Sequence, residues 1–219
     1  MKIRSKISST LTIALMILFV ASVVYPIMEA GLANAADTVE VTVRQQITAE
    51  ISLTVASSTL VLLPAIAGLT GGTGNGSTTV NILTNNNSGY TVTLIASGTQ
   101  SAMAGETQGG FVTDYNATVP ETWSNTSSGQ SSQFGFGITN SSLSSANSAS
   151  GYGSCSSYEN CFSKAPTTTP KTIVSVGTFT TSAGDDFQLK FRVHLPANAN
   201  PLVPEDWYNA TTTITATVN

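Results

Sequence analysis

From Val39 to Val55 apolar and polar side chains alternate. Val39, Val41, Val43, Ile47, Ala49, Ile51, Leu53 and Val55 occupy odd positions, and Glu40, Thr42, Arg44, Gln46, Thr48, Glu50, Ser52 and Thr54 fill the even ones. A period of two gives a β-strand one apolar and one wet side, and no helix satisfies it. At ~3.3 Å per residue, the run from Asp37 to Val55 would span roughly 55 Å, well past the usual strand of about 17–20 Å. It therefore either bends from one sheet to another or reaches outside its own domain to pair with a neighbour. Gln45 breaks the apolar row, so a bend would come at Arg44, Gln45 and Gln46.

The same period returns along the chain. Thr59 to Pro64 is a short apolar run that suits burial on both faces, and Gly68 to Gly76 reads as a mobile loop. Val80 and Ile82, a turn over Asn85 to Gly89, and alternating Tyr90, Val92, Leu94 and Ala96 predict a hairpin. Phe111 to Tyr115 and Glu121 to Trp123 are weaker strand candidates. Phe134, Phe136 and Ile138 alternate with Gln133, Gly135 and Gly137, where glycine admits a close neighbour or a bulge. Ile173, Val174, Val176 and Phe179 mark a further strand. Phe187, Leu189, Phe191, Val193 and Leu195 alternate with Gln188, Lys190, Arg192 and His194 without a fault, until Pro196 ends the run. Tyr208, Ala210, Thr212, Ile214, Ala216 and Val218 line one face of a last strand. No helical periodicity follows residue 35. The count predicts an all-β, antiparallel β-sandwich of about eight to ten strands.

The ends narrow the compartment. Lys2, Arg4 and Lys6, the apolar stretch Leu11–Val24 and Ala33-Asn34-Ala35 form a signal-peptide pattern over residues 1–35. An uncleaved anchor is the competing reading, because Leu11–Met28 is barely long enough to span a bilayer. The remaining 36–219 predict a single domain with a long Ser/Thr/Asn-rich loop at 140–170. Without the leader, five basic residues face eleven acidic ones, a net charge of −6. A sparse acidic surface argues against nucleic acid and anionic lipid, leaving membrane contact only through an uncleaved leader. An exported chain meets oxidants, so Cys155 and Cys161 predict a disulfide that stiffens the long loop.

Catalytic chemistry is thin. His194 is the lone histidine and falls on the outward face beside Lys190 and Arg192. No Gly-x-Ser-x-Gly elbow exposes a nucleophile, and Gly71–Gly76 lacks the lysine and helix of a phosphate loop. Asp185-Asp186 and Glu205-Asp206 lie in turns whose spacings match no calcium loop. No metal, cofactor or catalytic residue is assigned, and the chain is read as a non-enzyme. Trp123 is the candidate platform for sugar rings, the alternative being a carbohydrate-binding module; Trp207 is expected to pack. A secreted hydrolase, joining His194 to a carboxylate and a hydroxyl, is the remaining rival.

The alternating segment Val39–Val55, the run Ser88-Gly89-Tyr90-Thr91-Val92-Thr93-Leu94 and the closing Trp207–Val218 resemble exported surface subunits, the group of spore coat protein U-like and fimbrial proteins. This chain departs from them in keeping its cysteines within one loop. The resemblance implies an immunoglobulin-like sandwich, secreted or at the cell surface, with a structural or adhesive role. It also implies fibres or coats built by strand exchange with further copies or other surface proteins. Val39, Val41, Val43, Ile47 and Ile51 would be the strand-pairing residues, and polysaccharide is the partner in the carbohydrate-binding alternative.

Overall fold

The computed structural model describes residues 38–98, 101–124, 131–140 and 160–219. The leader 1–35, Cys155 and most of the 140–170 loop lie outside the described residues. The chain divides into two units, Met1–Gln46 and Ile47–Asn219. In the first, residues 38–46 carry no strand and are exposed throughout.

The second unit is an all-β sandwich. One sheet takes the order β1 (Ile51–Val55), β2 (Gly72–Thr84), β10 (Asp185–Leu195) and β7 (Gln133–Asn140), all antiparallel. The facing sheet is β12 (Thr212–Val218), β3 (Tyr90–Ala96) and β9 (Lys171–Val176). Inward side chains of both form one core: Val80, Ile82, Phe134, Phe136, Phe187 and Leu189 against Tyr90, Val92, Leu94, Ile173, Val174 and Val176. All twelve are at most 3% exposed. Two smaller sheets complete the unit, β11 (Tyr208–Asn209), β4 (Met103–Gly105) and β5 (Phe111–Val112), and β6 (Glu121–Thr122) with β8 (Cys161–Phe162).

Several expectations need correction. The first strand is confined to Ile51–Val55; among the described residues no ladder includes 38–50. Alternation makes a segment fit for a sheet, but a strand forms only where an edge receives it. β2 and β3 are not a hairpin. They belong to opposite sheets, so Asn85–Gly89 is a corner between them, and β2 instead spends its bonds on β1 and β10. Asn86 builds the corner, its Nδ2 donating to the Gly89 carbonyl at 2.8 Å while Gly89 takes φ +78°.

The glycine-rich stretch is no flexible tip. Gly72–Thr84 is one 13-residue strand, paired to β10 from Gly72 to Ile82. The segment 60–66 lies across Gly74 and Gly76: a β-carbon at Gly76 would meet Leu62 at 2.7 Å and Leu60 at 3.0 Å. Leu60 and Leu62 are half-buried there while Val61 and Leu63 stay exposed, so the run is buried on one side only and not on both. Phe179 lies beyond β9 and is exposed, and the last strand divides into β11 and β12.

Glycine in β7 does admit a close neighbour. A β-carbon at Gly135 would lie 2.9 Å from Trp123, 3.1 Å from Tyr115 and 3.2 Å from the Ser163 carbonyl. At Gly137 it would penetrate the Cys161 carbonyl oxygen. The β6–β8 pair therefore packs on the main sheet where β7 has no side chains.

Candidate functional site

The chain enters the sandwich through a side-chain clamp. Asn85 Nδ2 donates to the Thr48 carbonyl at 3.0 Å, and Asn85 Oδ1 accepts from the Glu50 amide at 2.7 Å. Thr84 Oγ1 donates to the Glu50 carbonyl at 2.6 Å. The carboxamide thus satisfies one donor and one acceptor of an extended backbone, doing for one step what a paired strand would do. Beyond it the apolar row is open: Ile47 is 84% exposed, and Val39, Val41 and Val43 are 80%, 81% and 88% exposed. Ile51, inside β1, is half-buried against the core. The five predicted strand-pairing residues therefore separate into one packed residue and four exposed ones.

Four apolar side chains thus alternate along a backbone that forms no strand and are exposed to water. Burying each valine or isoleucine would contribute about 1.5–3 kcal/mol at full burial.

The sandwich edges differ in how they are closed. Alongside β7, Tyr115 N donates to Phe134 O and Phe134 N to Thr113 O, and Phe136 and Ser163 exchange two bonds at 3.0 and 2.8 Å. β9 carries Lys171 and a bulge opposite Val92 and Thr93, both of which discourage further pairing. β1 has five residues. β12 has seven, with no charge, proline or bulge, and in register with β3 throughout. Among the described residues its ladder bonds go to β3 alone; β1 runs close beside it without a ladder between them. Ile214 and Ala216 are half-buried along this seam, as are Ile51 and Leu53 of β1.

Trp123 belongs to an aromatic–cation cluster. Tyr115 stacks on it at 4.2 Å and 13°, Phe162 meets it edge-on at 5.3 Å, and the Arg192 guanidinium lies 5.4 Å from its ring and 4.3 Å from Phe162. Arg192 Nε also donates to Asn75 Oδ1 at 2.7 Å. One face of the indole is thus covered by Tyr115, and the side chain is half-buried. Trp207, expected to pack, is instead 67% exposed. Asp206, the residue before it, accepts from the Thr107, Gln108 and Trp207 amides and so ties this turn to the segment after β4. Those bonds hold the Asp206 carboxyl below its usual pKa.

His194 lies on the outward side of β10, with Nδ1 2.9 Å from Thr73 Oγ1. Burial first, and the Arg192 charge second, lower its pKa. Its neighbours are the Thr73 hydroxyl, the Gly72 backbone and the Arg192 cation, and among the described residues no carboxylate is found beside it. Cys161 is fully buried in β8, while its expected partner Cys155 is outside the described residues. Among the described residues no group of three His, Cys, Asp or Glu side chains is placed to hold a metal ion.

Sequence reasoning missed Asn85, whose role depends on a long-range contact, and the open β12 edge, which only the strand order defines. Comparison with protein-family models and with curated proteins gave no match.

Proposed function

We propose that this protein is an exported structural or adhesive subunit of a cell-surface fibre or coat. In this reading its leader is removed, its sandwich is immunoglobulin-like, and a Cys155–Cys161 bridge stiffens the long loop. Copies assemble when the segment Val39–Ile47 of one adds as a strand to another. The observation that supports this is the alternating row Val39, Val41, Val43 and Ile47 at 80–88% exposure, while the sandwich core forms without them. A row of this kind gains both main-chain hydrogen bonds and apolar burial by joining a sheet edge.

The test is deletion of residues 37–43 from the processed protein, followed by light scattering over a concentration series. Polymers from the intact chain and folded monomers from the truncated one are expected. Equal assembly by both would reject strand donation.

A further inference from the structure

We infer that the acceptor for the donated segment is the free edge of β12, on a second copy of this chain. The inference rests on the assembly reading above and adds its missing half, the surface that receives the strand. A seven-residue, uncharged, regular edge is a template for pairing unless something protects it. Here the other edges are bridged, bulged and lysine-bearing, or short, and β12 has none of these devices.

The edge is also held ready. At one end Ser97 N and Oγ both donate to the Thr211 carbonyl, at 2.8 and 3.2 Å. At the other, Asn219 N donates to Gly89 O, and its Nδ2 to the Ser88 and Val176 carbonyls at 3.0 Å. An anchored strand loses little further conformational freedom on receiving a partner, so pairing costs fall mainly on the incoming segment.

The side-chain pattern matches. Ile214, Ala216 and Val218 alternate with Thr213, Thr215 and Thr217, as Val39, Val41 and Val43 alternate with Glu40, Thr42 and Arg44. Both rows repeat every second residue, about 6.6–6.8 Å apart, so three apolar side chains can lie abreast on the core side. The incoming row would then cover Ile214 and Ala216, which the sandwich leaves half-buried at the β1–β12 seam. Hydroxyls would meet Glu40, Thr42 and Arg44 on the wet side, with no like charges opposed.

The experiment places the photo-crosslinker p-benzoylphenylalanine at position 41 of the full processed protein. Copies labelled with ¹⁴N and ¹⁵N are mixed before irradiation, and the crosslinked peptides are identified by mass. Mixed-isotope crosslinks to residues 212–218 are expected. A companion variant, T213K/T217K, alters exposed side chains only; it should keep its melting temperature within a few degrees and lose most of the polymer. Mixed-isotope crosslinks to β1, β9 or another surface overturn the β12 assignment while leaving strand donation intact. Crosslinks to β12 that are found only within a single isotope, with no mixed pairs, overturn it too, since the segment then serves its own copy. A wild-type protein that stays monomeric and gives no crosslink between copies overturns both readings.

Discussion

Replacing Gly137 with alanine drives a β-carbon into the Cys161 carbonyl oxygen. Backbone, not a pliable side chain, occupies that space, so relief requires β8 to move away from β7. The neighbouring Phe136–Ser163 bridge is then strained, with two bonds of 3.0 and 2.8 Å at risk. Losing both costs about 2 kcal/mol at ~1 kcal/mol each. Keeping them and absorbing the overlap costs about 1–3 kcal/mol instead. The two routes together bracket a destabilisation of about 1–3 kcal/mol, and a domain of this size loses ~2–4 °C in Tm per kcal/mol. Thermal melts followed by circular dichroism should therefore show G137A melting about 2–12 °C below wild type. Gly177 is the control, since a β-carbon there has nothing within 4 Å. G177A should stay within about 0.5 kcal/mol of wild type. If the two variants melt together, the close packing of β8 on the glycine face of β7 is wrong.

Further outcomes follow from the same geometry. N85A removes both clamp bonds and should cost about 1–2 kcal/mol, with the Glu50 amide exchanging faster in a hydrogen-exchange time course; unchanged exchange would discard the clamp. W123A empties the space between Tyr115 and Phe162 and should cost about 2–4 kcal/mol in urea unfolding, the range for removing a partly exposed aromatic. His194 has its pKa lowered by burial and by Arg192. Its contribution is complete above the unfolded value near 6.5 and declines as pH falls through that value toward the folded one. H194Q should therefore lose less stability than wild type between about pH 7 and 5, and equal slopes would remove His194 from the acid limb.

The legible part of the fold is the part that alternation alone determines. Phe187–Leu195 and Tyr90–Ala96 present the expected faces because each strand is held between two neighbours and one buried face sets its register. Partner choice is not local. Asn85–Gly89 has turn chemistry that serves a hairpin or a sheet-to-sheet corner equally well, and β10 decides between them by taking β2's free side. Gly68–Gly76 reads as a loop because alternating glycines carry no apolar side chain to mark a strand face, although their missing side chains are what admit Leu60 and Leu62. In the candidate site, the apolar row of 39–47 is plain in the sequence; its exposure is not, because exposure reports the lack of a partner strand. The surroundings of Trp123 and Trp207 are set by non-local partners, the missing side chain of Gly135 beside Trp123 and the bonds from Thr107 and Gln108 to Asp206 beside Trp207. The β12 edge could be found only from the strand order.

Tyr90 offers a sharper test of the core, because it places a polar atom at the end of a ring that is otherwise closed to water. The side chain is 0% exposed, and its hydroxyl donates to Asp185 Oδ2 at 2.9 Å. Burial first, then the hydrogen bond and charge of Asp185, push the phenol well above its usual pKa. An acid raised in the folded state keeps its full contribution below the unfolded pKa, about 10, and loses it as pH rises beyond that value. The fold should therefore weaken steeply in alkali, since only the unfolded chain can release this proton. Y90F cannot ionise, so its stability should fall less between about pH 9 and 11, after an initial cost of about 1 kcal/mol at neutral pH for the lost bond. Tyr115 and Tyr208 are also raised, mainly by burial, so a smaller alkaline slope remains in the variant. Urea titrations at pH 7, 9, 10 and 11 separate the two effects. Parallel stability curves for Y90F and wild type would mean that water reaches the hydroxyl, and that the seam between β3 and β10 is looser than the packing described here.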